Sequence, residues 1–286
     1  AMMMAYREQH GRVERGAYPA ILTSASAHFS IARAAVAAGL GTDAVVHIRT
    51  DAHGRMDVRE LERMCAEMQA DAAHPQGVPL IVCATSGTTV LGAFDDVAAI
   101  AEVCRKYDLW LHVDASWGGA AAFLPHDAPE RSVLAGLENA HSITINPHKL
   151  LGVTHQCSFL LVHDKSVLIP PSHSDGGYLF HAPAEDALDM ATKTLGCGRR
   201  GDALKFYLVW LRYGTQGLGD HIAHGLRMAQ ALWQRLQRIP SLELGPHADP
   251  LFLQICVRPR EQSVRALHAQ LQAHGQFAVD YAPLDD

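Results

Sequence analysis

The amino-acid sequence predicts an α/β fold, and two observations carry that prediction. Short apolar runs alternate along the chain with amphipathic stretches of helical spacing. Three of the apolar runs are typical of strands buried on both faces, and each is followed directly by a cluster of polar residues. In open α/β sheets, ligands bind at the carboxyl ends of the strands. The pattern therefore predicts a functional site at that edge of the sheet.

The bulk composition narrows the class of protein. The 286 residues are 48% hydrophobic and 19% charged, which is typical of a globular chain with a sizeable core. A net charge of -6 leaves no basic stripe, so we expect no nucleic-acid partner. No apolar run approaches the ~20 residues that a membrane helix needs, so we expect no membrane partner either.

Cysteine and histidine usage indicates a cytoplasmic protein without a metal site. The six cysteines include no C-x-x-C pair and fall mostly in apolar segments, as reduced thiols in a reducing compartment do. No secretion signal is visible at the start. His141, His148 and His155 recur at the spacing of two helical turns, but Pro147 interrupts any helix there. Since the sequence also lacks an H-E-x-x-H motif, we predict no bound metal.

The first elements follow from local composition. A helix is predicted over the alanine-rich residues 31–39, with Gly39 at its end. Residues 45–48 are predicted to form a short strand, and a helix is predicted from Asp57 to about residue 70. Asp95 is predicted to cap the next helix, in which apolar residues recur at i, i+3, i+4 and i+7 from Val97 onwards.

Four apolar runs are predicted as strands over residues 78–84, 109–113, 142–145 and 157–162. The first three end in T-S-G-T-T at 85–89, D-A-S-W-G-G at 114–119 and N-P-H-K at 146–149. From about residue 203, spaced apolar residues predict one long helix and then a second one. Beyond Pro240 we predict a strand over 251–257 and a helix that Gly275 ends.

Three side chains suggest chemistry, and two of them lie at the predicted edge. Lys149 follows a strand end, where desolvation would lower the pKa of its amine and free it for imine formation, although most lysines are solvated surface residues. Asp114 ends an apolar strand, and a buried carboxylate needs a cationic partner or strong hydrogen bonds. The alternative is a turn or capping aspartate. His28 either lies on an aromatic ligand or serves as a capping or core residue.

The motifs taken together are more specific than each alone. His28, S-G-T-T, H-V-D-A-S-W-G-G and N-P-H-K occur in an order that closely resembles the pyridoxal-phosphate group II amino-acid decarboxylases. The similarity continues through residues 92–95, 156–158, 177–180 and 197–200, which look most like the glutamate and cysteine-sulfinate branch. The resemblance implies a fold type I pyridoxal-phosphate transferase-like architecture, with a mainly parallel sheet flanked by helices, and a homodimer.

The resemblance also assigns roles to residues. Lys149 would carry pyridoxal 5'-phosphate as a Schiff base, Asp114 would pair with its pyridine nitrogen, and His28 would stack on its ring. These three form the predicted catalytic set.

Four further residues complete the predicted cofactor site. Thr89 would lie near the cofactor's phenolic oxygen, and Asn146 and His148 would support the phosphate and the edge of the site. Ser116 stands where the family often has alanine, a change small enough to let the ring approach.

The resemblance implies an organisation as well. Residues 1–202 would form a large cofactor-binding α/β domain, 203–239 connecting helices, and 240–286 the start of a small α+β domain. The chain resembles a fragment, because it begins after the family's phosphate-binding turn. It also ends before the segment in which enzymes for acidic substrates carry an arginine. A loop tyrosine that favours α-carbon protonation in the similar branch has no counterpart in 181–196, where His181 is the candidate.

The implied activity is decarboxylation of an L-amino acid, with an acidic substrate such as glutamate, cysteine sulfinate or aspartate. Aromatic or 2,4-diaminobutyrate decarboxylation is the alternative within the family, and Gln156, Phe180 and Arg199 are candidates for setting this choice. A different pyridoxal-phosphate enzyme, such as an aminotransferase or a desulfurase, would share the lysine and aspartate chemistry. A third alternative is a truncated homologue that is inactive by itself and serves only as a dimerisation partner.

Overall fold

The computed structural model describes residues 18–71, 74, 77–168, 198, 200–245, 252–276 and 279–282. The strands are β1 (Pro19–Ser24), β2 (Val45–Ile48), β3 (Val78–Thr85), β4 (Trp110–Asp114), β5 (Ser142–Ile145), β6 (Phe159–Val162), β7 (Leu242–Leu244) and β8 (Val257–Pro259). The α-helices are α1 (Ser30–Ala37), α2 (Val58–Ala70), α3 (Val97–Tyr107), α4 (Asp202–Leu236) and α5 (Val264–His274). Short 3-10 helices cover Thr42–Ala44, Gly118–Phe123, Pro129–Leu134, Leu137–Asn139 and Lys165–Leu168.

The predicted α/β fold is confirmed. Six strands form one sheet in the order β2-β1-β3-β4-β5-β6, in which β1 to β5 run parallel and β6 is antiparallel at the edge. Strands β7 and β8 form a separate antiparallel pair. The division of the chain into domains stays a prediction.

One face of the sheet carries the main apolar core. Side chains such as Leu22, Val82 and Leu111 are fully buried there against Leu61 of α2 and Ile100 of α3. Burying a side chain of this size stabilises the fold by about 1.5–3 kcal/mol. The other face has a smaller apolar cluster and a series of polar residues that leads to the carboxyl ends of the strands. One face therefore mainly stabilises the fold, and the other carries the polar residues that lead to the candidate site.

The prediction for the cap of α3 is wrong by one residue. Asp96 is the N-cap, and its carboxylate accepts from the amide of Ala99 at 3.0 Å. Asp95 is buried instead and accepts from the amides of Met56 and Thr85, both at 2.7 Å. Either aspartate can cap a helix in sequence terms. Asp95 points inward, where its carboxylate accepts from two backbone amides that would otherwise be buried without partners.

Other differences concern the strands. Strand β1 was not predicted, although it is an inner strand of the sheet, between β2 and β3. The strand predicted over 251–257 is wrong, since the extended pairing begins only at Val257, opposite the unpredicted β7. The fourth predicted strand starts at Phe159 rather than residue 157, and its Leu160 and Leu161 are exposed.

The long helix α4 contains both of the helices predicted after residue 203. Gly214 interrupts it with φ 67° and ψ 175°, a backbone conformation outside the helical region that glycine tolerates at low cost. Helix α5 ends at Gly275, as predicted, with φ 73° in the left-handed region. No helix within the described ranges is both long and apolar enough to cross a membrane.

Candidate active site

Four parallel strands bring their carboxyl ends to one edge of the sheet. Strand β1 leads into the loop that carries His28, and β3 leads into residues 86–89. Strand β4 ends at Asp114 itself, and β5 leads into the turn that ends in Lys149. The parallel pairing therefore collects these segments into one candidate site, as the sequence predicts.

Asp114 is fixed by the backbone on both sides. Its Cα pairs in register with Thr85 of β3 and with Thr144 of β5. Its Oδ1 accepts from the amide of Ser116 at 3.0 Å, and its carbonyl oxygen accepts from the amide of Ser86 at 2.9 Å. The side chain is half-buried, so its negative charge is held in a defined place with partial shielding from water.

Lys149 lies in a turn that begins at Asn146. Its amide donates to the carbonyl oxygen of Asn146 at 3.0 Å, and its Nζ lies 5.1 Å from the centroid of the Trp117 ring. Burial lowers the pKa of the Lys149 amine, and the negative charge of Asp114 raises it by less. A half-buried amine with a lowered pKa is a better nucleophile near neutral pH than an exposed lysine.

His28 approaches the same charges from the end of β1. Its Nδ1 accepts from the amide of Ser30 at 3.3 Å, and its ring centroid lies 4.1 Å from that of Phe29. Burial is the first cause that lowers the pKa of His28, and the positive charge of Lys149 is the second, while Asp114 raises it. The three residues predicted to be catalytic are thus in one electrostatic environment, and His28 is neutral at pH 7.

Two buried oxygen atoms at this edge lack partners within the described part of the chain. They are Ser86 Oγ, just beyond β3, and Asn146 Oδ1, just beyond β5. A buried polar atom without a hydrogen bond costs about 1–3 kcal/mol, so such pairs commonly indicate a missing ligand or water. The residues present therefore suit a small polar ligand. These residues would fit a ligand that carries an aldehyde to react with the amine, a ring nitrogen that holds a proton, and oxygen atoms that form hydrogen bonds.

The loops after β3 and β4 are packed tightly against each other. The amide of Gly118 donates to the carbonyl oxygen of Ser86 at 3.0 Å, and Gly87 adopts φ 90°, which favours glycine. A Cβ on Gly118 would lie 2.5 Å from the same carbonyl oxygen. Glycine is required here because both backbones meet at the edge of the site.

The remaining predicted cofactor residues differ in their placement. Ser116 is part of the site through its amide, whereas His148 turns towards Cys157, with Nδ1 3.0 Å from that amide nitrogen. Thr89 is exposed in a turn, and its neighbour Thr88 is buried, with Oγ1 accepting from the amide of Ala93. The geometry thus favours a bracing role for His148 in the turn that holds Lys149.

Sequence reasoning missed two residues that the structure brings to the site. Trp117 was recognised only as part of a motif, although its ring lies near the Lys149 amine. His112 lies two residues before Asp114, and period-two alternation along a strand would have placed it on the same face. Gln156 is exposed, and its carbonyl oxygen accepts from Lys205. The other candidates, Phe180, His181 and Arg199, lie outside the described residues.

Comparison with known proteins gives consistent results. Residues 2–258 match the family described as the pyridoxal-dependent decarboxylase conserved domain. The chain is 42% identical over 238 residues to an L-aspartate decarboxylase of Metarhizium robertsii, covering 83% of this chain and 46% of that protein. It is also 42% identical over 240 residues to the human cysteine sulfinic acid decarboxylase, covering 83% of this chain and 47% of that protein.

The fold is similar to that of solved structures as well. The structure of Oryza sativa TDC with PLP and tryptamine aligns with a TM-score of 0.87 and 27% identity, covering 99% of this chain and 60% of that one. The chain spans about half the length of the curated relatives it matches.

Proposed function

This chain belongs to the pyridoxal-dependent decarboxylase family, and we propose that it binds pyridoxal 5'-phosphate at the edge formed by β1, β3, β4 and β5 and decarboxylates an acidic L-amino acid. One observation carries the proposal. An amine with a lowered pKa, a fixed carboxylate and a neutral imidazole converge there from three strand ends, on Lys149, Asp114 and His28. Pyridoxal phosphate, the cofactor of this family, suits these three side chains.

Each of the three side chains has a distinct task in this proposal. Lys149 supplies the amine that holds the cofactor covalently, since burial favours its uncharged form. Asp114 keeps a proton on the ring nitrogen, because a fixed, half-buried carboxylate attracts a cation more strongly than one in water. When bound, pyridoxal phosphate supplies an electron sink for the electrons of the bond between the α-carbon and the carboxylate.

His28 acts in this proposal as a neutral hydrogen-bond donor that positions the bound molecule. The Nδ1 of His28 accepts from a backbone amide, so in the neutral ring the proton is on Nε2. His28 can therefore donate a hydrogen bond from Nε2 to the bound molecule while it stays uncharged. Over the whole reaction the amino acid releases carbon dioxide and gains one proton at the α-carbon. Asn146 and Ser86 offer oxygen atoms to the polar groups of the bound molecule.

The substrate class rests on the relatives. The two curated relatives above act, by their names, on aspartate and cysteine sulfinate, both of which carry a second acidic group. The alternative is an aromatic substrate, which the close structural match to a TDC bound to tryptamine favours. Among the solved structures, the identity is 37% to mouse CSAD and 27% to this TDC, and we therefore propose the acidic class.

A product assay separates these alternatives. The protein is supplied with excess pyridoxal phosphate and one amino acid at a time: L-aspartate, L-cysteine sulfinate, L-glutamate, L-tryptophan or L-2,4-diaminobutyrate. We expect carbon dioxide and the matching amine from an acidic substrate, and none from Lys149→Ala. Turnover confined to tryptophan or diaminobutyrate would contradict the acidic assignment. Formation of a 2-oxo acid would indicate an aminotransferase, and no product at all would favour an inactive homologue.

We also propose that the protein forms a homodimer through an apolar stripe on α4. This stripe consists of Leu204, Tyr207, Leu208 and Leu211, which recur at i, i+3, i+4 and i+7 and are each more than half exposed. The opposite side of the same helix is already packed, through Phe206, into the core. A helix that is apolar on both sides is normally buried on both.

Sedimentation velocity tests the dimer. We expect wild-type protein to sediment as a dimer and Leu208→Glu to sediment as a monomer. Leu232→Glu is the matched control, because Leu232 is comparably exposed on the second half of α4. Equal dimerisation in all three proteins, with unchanged circular dichroism, would contradict the assigned surface.

A cytoplasmic location is proposed from thiol chemistry. The described cysteines are all free, and four of them are buried. Burial raises the pKa of the Cys65 and Cys104 thiols to about 12, so neither reacts readily. Free thiols are typical of a reducing compartment. Cell fractionation of a tagged protein tests this, and recovery in a secreted or vesicular fraction would contradict it.

A further inference from the structure

A series of buried and half-buried polar side chains lies beside Asp114 on one face of the sheet. Residues Trp110, His112 and Asp114 alternate along β4 and therefore project from the same face. The neighbouring strand β5 places Ser142 opposite His112 and Thr144 opposite Asp114 in the parallel register. The polar group next to the proposed catalytic carboxylate on its own strand is thus an imidazole.

Short distances connect these side chains into one chain of contacts. The Nε1 of Trp110 donates to Ser142 Oγ at 2.9 Å, and Ser142 Oγ lies 2.8 Å from His112 Nδ1. The Nε2 of His112 lies 3.3 Å from Thr144 Oγ1. Both ring nitrogens of His112 are therefore engaged by hydroxyl groups of β5.

Donor and acceptor capacity sets the direction of this chain. An indole N–H can only donate, so Ser142 Oγ accepts from Trp110. The acceptor that the described residues place within reach of the Ser142 hydroxyl hydrogen is His112 Nδ1. A buried hydroxyl hydrogen without an acceptor costs about 1–3 kcal/mol. Nδ1 is therefore the acceptor, and the single proton of the neutral imidazole is on Nε2, from which it donates to Thr144.

The charges around His112 are few. Asp114 lies on the same strand, and the Cys83 thiol of β3 lies in register on the other side. Burial raises the pKa of Cys83 to about 12, so this thiol is uncharged. Burial also lowers the pKa of His112, and the negative charge of Asp114 raises it by less. At pH 7 the imidazole is neutral although a carboxylate is close.

We propose that His112 is a positioning residue that acts through Asp114, and that Trp110 and Ser142 hold it as the neutral Nε2–H tautomer. An imidazolium on this face would pair with Asp114 and compete with the cofactor's ring nitrogen for its charge. A locked neutral imidazole leaves the carboxylate free for that nitrogen. The inference rests on the proposed function, since it concerns the residue that would pair with the cofactor.

The first part of the test uses cofactor-free protein. Histidine is labelled with nitrogen-15 in the ring, and the signals of His112 are assigned by their loss in His112→Gln. We expect wild-type His112 to show only the Nε2–H tautomer and to be mostly unprotonated at pH 6.5, the ordinary pKa of histidine. In Trp110→Phe, Ser142 is released to accept from Nδ1–H, so a second tautomer should appear and the pKa should rise. Trp233→Phe, which removes a different buried indole, is the matched control.

The second part measures pyridoxal phosphate affinity at pH 8 and pH 6. Lowering the pH from 8 to 6 should raise the dissociation constant of Trp110→Phe by roughly tenfold more than that of wild type. This difference corresponds to one pKa unit of competition. His112→Gln cannot acquire a charge and should show no such fall in affinity at low pH. If wild-type His112 carries its proton on Nδ1, or is half-protonated at its ordinary pKa, the inference is wrong.

Two results would distinguish the levels of the proposal. If the tautomer is as expected but Trp110→Phe binds with the wild-type pH dependence, the positioning role is overturned and the cofactor site stands. If wild-type protein binds no cofactor at either pH, the proposed function fails, and the role of His112 fails with it.

Discussion

Asp95 provides a direct test of how burial and hydrogen bonding compete in this fold. Its carboxylate is 4% exposed and accepts from the amides of Met56 and Thr85. It therefore links the hairpin at residues 51–56, which precedes α2, to the end of β3. Burial raises its pKa from 3.8 to about 6, while the two amide donors act in the opposite direction. We predict that Asp95→Asn removes a pH-dependent component of the stability.

The magnitude follows from the two pKa values. A rise from 3.8 to about 6 is roughly two units, and each unit is worth 1.36 kcal/mol, so the effect is about 3 kcal/mol. Because the folded-state pKa is raised, the folded protein binds the proton more tightly than the unfolded chain. Stability from this group is therefore full below pH 3.8 and is lost as the pH rises through about 6.

The assay is urea denaturation of wild type and Asp95→Asn from pH 4 to pH 7. Subtracting the two free energies of unfolding at each pH cancels the other titrating groups. We expect wild type to lose about 2 kcal/mol relative to the variant across this range, because part of the effect is already lost at pH 4. Asp96→Asn is the matched control, because it removes the exposed neighbouring carboxylate and asparagine can still cap α3. A wild-type stability that stays constant or rises with pH relative to Asp95→Asn would refute the reasoning, since the amide donors would then match or outweigh burial.

Three further predictions concern the site and the fold. Gly118→Ala should lower the free energy of unfolding in urea by about 1–3 kcal/mol, since its Cβ would meet the carbonyl oxygen of Ser86, and wild-type stability would contradict the tight packing. Asp57→Ala should cost about 1 kcal/mol by the same assay, because Asp57 caps α2, and a cost near zero would mean that solvent replaces the cap. Arylation of amines by trinitrobenzenesulfonate should reach half its maximal rate at a lower pH for Lys149 than for exposed Lys106, whose pKa is raised by its hydrogen bond to a glutamate. The reverse order would contradict the buried setting of Lys149.

The sequence predicted the parts of the fold in which one strong signal dominates. Residues 78–84 are a continuous apolar run, and residues 109–113 are apolar except for His112, so their burial was predictable, and so was the polar edge that follows them. Strand β1 was missed because P-A-I-L-T-S begins with proline and ends in polar residues, which reads as a loop. Its burial comes from neighbours on both sides, which no local pattern reveals.

The site was predictable where the chain delivers a residue directly at a strand end. Asp114 and Lys149 are such residues, whereas the contact of Trp117 with Lys149 depends on how two loops fold towards each other. The same limit applies to Asp95 and Asp96, since either aspartate can cap and only the packing of the hairpin 51–56 decides between them. Local chemistry names the candidates, and tertiary packing chooses among them.

The central claim is that Lys149 holds the cofactor, and borohydride trapping tests it most directly. The protein is mixed with pyridoxal phosphate, reduced and digested, and the modified lysine is located by mass spectrometry. The chain has five lysines, at positions 106, 149, 165, 193 and 205, so the assignment is unambiguous. We predict one modified residue, Lys149, and loss of the label in Lys149→Ala. Label on the other lysines with none on Lys149 would contradict the account.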